Sequence, residues 1–220
     1  MPTLSTLEAY ERWAATYPPF PHNPLMRAEQ ATLLRYWPEV AGLRALDLAC
    51  GTGRYAKLLS ARRAAQIVTL DFSAAMLRQV QTGCRVQADM MRLPFASDTF
   101  DIAIAGLALG HSTDIRAVMC EIARVLTPGG VVLYSDFHPD AARAGMTRSF
   151  KDEHGRSFVV PHCRHELAAH REAAAAARLT LEVMDEIRVG IEFREAFHES
   201  PEFFQKWRGL PLVLVVRARK

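Results

Sequence analysis

Between Leu43 and Phe137 the apolar positions of this chain alternate between short strand-like runs and stretches in which they recur at helical spacing. The runs cover Ala45 to Ala49, Ile67 to Leu70, Arg85 to Ala88, Ile102 to Ala105 and the heptapeptide VVLYSDF; the helical stretches begin at Arg54, Ser73 and Thr113. Strands buried on both faces read as continuous apolar runs. Their alternation with amphipathic helices predicts five parallel strands in a doubly wound, Rossmann-like α/β sheet. A long helix is expected over Thr113 to Leu126, with Ser112 and Thr113 as candidate N-caps and a Thr127-Pro128-Gly129-Gly130 turn at its end.

The flanks follow other patterns. Leu4, Leu7, Tyr10, Trp13 and Ala14 give a helical stripe over Leu4 to Tyr17, stopped by Pro18 and Pro19. Asn23 and Pro24 form an N-cap and first-turn pair for a second helix, Leu25 to Trp37. These two helices are expected to form an N-terminal lid over residues 1–40, ahead of a core over 41–137. Residues 138–178 read as a substrate-side insertion: two short strands around a turn at Glu153 to Gly155, then the alanine-rich helix Glu166 to Arg178. Residues 179–220 hold a strand over Leu179 to Val189, a short helix capped at Ser200-Pro201, and the β-prone run LPLVLVVRA. The two strands are expected to pair as an antiparallel edge hairpin.

Composition narrows the class. With 220 residues, 50% apolar and 23% charged, the chain can bury one sizeable core and is far from the make-up of a disordered segment, so a single domain is expected. A net charge of +3 without a basic stripe argues against a nucleic-acid partner. Cys50, Cys84, Cys120 and Cys163 lie far apart without CxxC or Cys/His spacing, so reduced thiols are expected and no metal site. No apolar run approaches the ~18 residues of a membrane span, and no secretory leader pattern precedes Tyr10. A cytoplasmic protein without a membrane partner is expected; oligomeric state leaves no mark in the sequence.

The chemistry concentrates at ALDLACGTGRYA, residues 45–56, where an apolar run meets Gly51 and Gly53. Glycines there let the backbone bend tightly and approach a nucleoside. Asp71 follows Gly51 by twenty positions at the end of the second apolar run, where a ribose-binding carboxylate belongs. Gly51-x-Gly53-x-x-Ala56 also satisfies the dinucleotide fingerprint, so a nicotinamide-dependent oxidoreductase of Rossmann type is the rival reading. No GxSxG, HExxH or P-loop motif occurs. Proton acceptors are sought among histidines at the carboxyl edge of the sheet. His138, which with Asp136 directly follows the fifth strand, leads, and His111 after the fourth strand comes next, against helix capping or packing. His162 and His165 lie in the insertion, and a three-residue spacing alone does not make a metal pair.

Four ordered segments carry a family resemblance: LDLACGTGRYA at 46–56, VTLDFSAAML at 68–77, the stretch 88–109 beginning ADMMRLPF, and EIARVLTPGGVVLYSDF at 121–137. Together they resemble the class I S-adenosylmethionine-dependent methyltransferases, particularly the branch of quinone C-methyltransferases and the carrier-protein methyltransferase of biotin synthesis. The resemblance implies S-adenosylmethionine as cofactor, a small-molecule acceptor, and in-line methyl transfer dominated by positioning. It places Ala49, Gly51 and Gly53 against the cofactor, Asp47 beside the methionyl ammonium and Asp71 on the ribose hydroxyls. Phe72 and Met76 are expected against the adenine, with Asp89 and the Met90 backbone at its edge. The backbone after the fourth strand, Ala105 and Leu107, would face the methionine, and Tyr17 would close over the sulfonium. A noncatalytic relative that only binds the cofactor is a further alternative.

Overall fold

Residues 4–197 and 201–220 are described by the structure, a computed structural model. Five strands, β1 (Arg44–Leu48), β2 (Gln66–Asp71), β3 (Cys84–Gln87), β4 (Phe100–Ala105) and β5 (Leu126–Phe137), run parallel in the spatial order β3-β2-β1-β4-β5. The chain reverses direction across the sheet between β1 and β4, and the carboxyl ends of the strands at such a switch point are where open α/β sheets bind ligands. Two further strands, β8 (Thr180–Arg188) and β9 (Pro211–Arg219), complete the seven-stranded sheet. β9 inserts antiparallel between β5 and β8, so the expected C-terminal hairpin forms and, of its two strands, β8 alone lies at an edge of the sheet.

Along β5 the side chains alternate between two cores: Val132 and Tyr134 join one buried cluster, Val131 and Leu133 the other. One face is covered by α5 (Ile115–Val125) and α7 (Leu167–Ala176), the other by α2 (Pro24–Arg35) and α3 (Arg54–Ala61). Two local expectations need correction. The N-cap of α5 is Asp114, whose carboxylate accepts from the Ala117 N–H at 3.0 Å. Thr127 to Gly130 is drawn into β5 rather than forming a separate turn, because Gly129 accepts a φ of +80° and the segment bonds to the chain end through Lys220.

Helix α1 (Thr6–Trp13) opens with a capping box between Ser5 and Glu8 and stops short of Ala14. It packs on α4 (Ala74–Gln79), where Glu11 accepts from Ser73 Oγ at 2.7 Å and the Ala75 N–H at 3.0 Å. Its other side meets the hairpin of β6 (Ser149–Lys151) and β7 (Ser157–Val159), with Trp13 stacked on Phe150 at 4.9 Å. The expected insertion hairpin thus lies against the N-terminal helix. Between β8 and β9 come a 3-10 segment, Ile191–Phe197, and α8 (Pro201–Trp207); the expected cap at Ser200 falls outside the described residues. Among the described residues no helix is long and apolar enough to cross a membrane.

Candidate functional site

The turn after β1 is built on left-handed backbone. Ala49, Gly51 and Gly53 have φ of +50°, +55° and +80°. A Cβ on Gly51 would meet nothing within 4 Å, so its bare backbone faces open space. Its N–H donates to Asp71 Oδ2 at 2.8 Å, tying the turn to the end of β2. Gly53 is the N-cap of α3 and has no side chain to cap with; Asp47 does it from β1, accepting the Ala56 N–H at 2.8 Å.

Above this turn lies a cavity of about 270 Å³ at the carboxyl ends of β1, β2 and β4. Asp71, Phe72, Asp89 and Met90 line one end, and Tyr10, His111 and Arg148 line it beyond β4, with Ala49, Gly51, Thr52, Gly106 and Leu107 between them. Tyr17 and α1 border it from above, Tyr17 edge-on to Trp13 at 4.6 Å. Phe72 is 51% exposed, an aromatic face left open beside Asp71. Asp71 also accepts the Ser73 N–H at 2.9 Å, and burial nevertheless holds its carboxyl above the usual range. Each carboxylate oxygen keeps a lone pair for a ligand donor.

Of the residues singled out in the sequence, Tyr17, Ala49, Gly51, Asp71, Phe72, Asp89, Met90, Leu107 and His111 line the cavity; Asp47, Gly53, Met76, Ala105, Asp136 and His138 do not. Met76 is fully buried beneath α1 among Ala14, Ala75 and Tyr17, where it supports the roof. Ala105 is likewise fully buried, in register with Tyr134. Asp136 shares the parity of Tyr134 on β5 and so points under α7, accepting the N–H groups of Gly110 at 3.1 Å and Phe137 at 2.9 Å. His138 is the N-cap of α6 (Pro139–Arg143); its Nδ1 accepts the Asp140 N–H at 3.1 Å and its Nε2 lies 3.5 Å from Glu186 on β8. The geometry therefore does not carry the expectation of His138 and Asp136 as catalytic groups.

His111 is in the cavity but engaged. The Arg148 guanidinium only donates, and it sits 2.8 Å from Nε2; the Pro161 carbonyl only accepts, and it sits 3.2 Å from Nδ1. The ring is thereby assigned as the neutral Nδ1–H tautomer, with the Tyr10 hydroxyl donating to Nε2 at 2.8 Å. Burial and the neighbouring Arg148 charge hold His111 well below the ordinary histidine value, and burial pushes Tyr10 up to about 12.

Four residues escaped the sequence reading. Arg54 lines the cavity and pairs with Glu29 of α2 at 2.9 Å; Glu29 is fully buried and also accepts from Tyr55 at 2.8 Å and Ser135 at 2.6 Å. The signal was present as a carboxylate within the apolar stripe of Met26 and Leu33. Tyr10 was read only as part of a helix stripe, and Arg148 sits in a loop whose position no local pattern reveals. Gly106 has a packing reason as well: a Cβ there would lie 2.4 Å from the Tyr55 ring.

Burial of these groups gives stability a pH optimum. His162 and His170 are pushed down to about 3, and His111 and His138 are lowered too, so all four are neutral in the fold and their contribution is lost as pH falls below about 6.5. Asp136 and Asp47 are pushed up to about 7 and about 8, so their contribution is lost as pH rises from the ordinary carboxylate value through these values. Above about pH 6.5 only the aspartates act, and stability is expected to fall toward pH 8 by up to about 1.4 kcal/mol per pH unit per proton. Asp47→Asn is expected to flatten the upper part of this slope in thermal melts; an undiminished slope would contradict the assignment.

Comparison with known proteins adds four findings. A family model described as a methyltransferase domain matches residues 46–134. The chain is similar to a 2-phytyl-1,4-naphtoquinone methyltransferase of Thermosynechococcus vestitus, 35% identical over 59% of this chain and 61% of the relative. It is also similar to a malonyl-[acyl-carrier protein] O-methyltransferase of Legionella pneumophila, 36% identical over 50% of this chain and 41% of the relative. It thus spans less than two thirds of these curated relatives. A crystal structure of an S-adenosylmethionine-dependent methyltransferase from Mesorhizobium loti superposes with a TM-score of 0.70 and 26% identity, covering 88% of this chain and 98% of that one.

Proposed function

We infer that this chain, which belongs to the class I S-adenosylmethionine-dependent methyltransferases, transfers a methyl group from S-adenosylmethionine to a small-molecule acceptor. The observation that carries the reading is the bare Gly51 backbone bonded to Asp71 beside an exposed aromatic ring, a surface suited to a ribose and a base. When bound, S-adenosylmethionine would supply a sulfonium methyl to an electron pair on a carbon, oxygen or nitrogen of the acceptor, with the C–S pair passing to sulfur to give S-adenosylhomocysteine and any acceptor proton passing to water.

The chain's own residues bind and orient. Asp71 accepts from the ribose hydroxyls, since a carboxylate only accepts and hydroxyls donate. Phe72 covers one face of the base, with Asp89 and the Met90 backbone at its edge. Leu107 directs its backbone toward the methionine end, and Tyr17 offers a ring face to positive charge, worth ~1 kcal/mol or more when desolvated. Asp47 and Gly53 act one step removed, by holding α3 and the turn in place. Tyr17 and α1 exclude water from above.

The match over 46–134 spans the glycine turn itself, which removes the ground for the nicotinamide alternative. Four free cysteines suit a reducing compartment, which supports the cytoplasm as its place. The test is incubation with methyl-labelled S-adenosylmethionine and a panel of phenols, quinone precursors, amines and carboxylic acids. Labelled product together with S-adenosylhomocysteine supports the reading; tight cofactor binding without transfer to any class leaves a noncatalytic relative instead. His138→Ala is expected to lower stability by about 1 kcal/mol, the value of a lost cap, with turnover unchanged. Slowed turnover at an unchanged melting temperature would return His138 to the catalytic candidates.

A further inference from the structure

Arg148 lies between α6 and β6 and lines the cavity beyond β4. A guanidinium carries five N–H donors in a fixed plane. Nη1 donates to the Leu107 carbonyl at 3.0 Å and to His111 Nε2 at 2.8 Å, and Nη2 donates to the Tyr10 hydroxyl at 3.3 Å. Nε–H and the second Nη2–H, the parallel pair along the side of the fork, have no partner among the described residues. No carboxylate among the described residues pairs with Arg148, whereas Arg54, the other arginine of the cavity, is paired with Glu29 at 2.9 Å. The Arg148 charge reaches Asp136, which is buried outside the cavity, so within the cavity its counter-charge is left to a ligand, and two parallel donors match the two oxygens of a carboxylate.

Position says which ligand. Leu107 and His111 follow β4, whereas Asp71 ends β2 and Asp89 follows β3, on the other side of β1 in the sheet. The anion site is therefore at the end of the cavity away from the nucleoside surface, beside the methionine end that Leu107 faces and where an acceptor must meet the methyl group. We propose that Arg148 anchors a carboxylate of the methyl acceptor through its Nε and Nη2 edge. This deepens the methyl-transfer reading and rests on it. The two titratable neighbours of Arg148 in the cavity agree: His111 Nε2 is occupied by two donors and Tyr10 holds its proton, so the site suits a ligand that arrives ionised.

The test follows the Arg148 Nε–H resonance, assigned by its loss in Arg148→Gln, in protein saturated with S-adenosylhomocysteine. Acetate, benzoate and malonate are the probes, with acetamide and benzamide as neutral matches. A saturable shift with at least one acid and none with the amides is expected. In turnover with labelled donor, Arg148→Gln is expected to raise KM for acid acceptors by about tenfold or more, with partial rescue by Arg148→Lys, while S-adenosylhomocysteine affinity stays within about twofold. Three results overturn the proposal: no shift with any acid, equal shifts with amides, or a loss of S-adenosylhomocysteine affinity in Arg148→Gln. The last would assign Arg148 to the donor's own carboxylate. Failure of wild-type protein to bind S-adenosylhomocysteine at the outset would instead sink the methyl-transfer reading, so the two failures are distinguishable.

Discussion

Asp71→Ala is expected to weaken S-adenosylhomocysteine binding by about a hundredfold or more. Two hydrogen bonds to a charged group are worth roughly 1.5–3 kcal/mol each, and every ~1.4 kcal/mol is tenfold in affinity. The loss has a second source in the protein itself, because Asp71 also holds the Gly51 and Ser73 N–H groups at 2.8 and 2.9 Å and so shapes the turn that meets the nucleoside. Asp71→Asn separates the two: one amide oxygen can still accept a backbone N–H, but its NH₂ cannot accept from a ribose hydroxyl. Calorimetric affinities ordered wild type, Asn, Ala are expected. Unchanged affinity in Asp71→Ala would remove Asp71 from the ribose.

Glu29→Ala is expected to be the most destabilising single change, by about 3–5 kcal/mol, the cost of stripping one member from a buried ion pair. Three groups lose their acceptor at once: the Arg54 guanidinium, the Tyr55 hydroxyl and the Ser135 hydroxyl. At roughly 2–4 °C per kcal/mol for a chain of this size, the melting temperature should fall by about 10 °C. Glu29→Gln, which keeps an acceptor for the hydroxyls, should cost less. The double change Glu29→Leu with Arg54→Met should recover part of the loss, because it removes the uncompensated charge. If Glu29→Ala melts with the wild type, the pair does not hold α2 to the sheet.

The parallel half of the fold was legible because its signals are local. Each of β1, β2, β4 and β5 is buried on both faces and so reads as an apolar run, Asn23 announces the start of α2 as its N-cap, and the helical spacing from Ser73 announces α4. The insertion of β9 between β5 and β8 was not legible, since β-prone runs do not state their spatial order. The α5 cap was misplaced by one or two residues because Ser112, Thr113 and Asp114 are all competent caps, and only the backbone decides among them.

At the site, residues attached to the glycine turn and the ends of β2 and β3 could be placed from sequence, since a motif fixes them relative to a strand. His138 could not: being next after β5 locates its backbone, while strand parity and the start of α6 turn its side chain toward Glu186. Tyr10, His111 and Arg148 are brought together from α1, the turn after β4 and the loop before β6, across separations of 101 and 37 residues. No spacing rule reaches that far, and a charge without a counter-charge is visible only once its neighbours are in place.

Calorimetric titration of S-adenosylhomocysteine into the folded protein tests the central claim most directly. Saturable binding of one ligand per chain, with no detectable binding of NAD or NADP under the same conditions, is the predicted result. Absence of heat and saturation with S-adenosylhomocysteine, in protein whose melting curve shows it folded, would contradict the account.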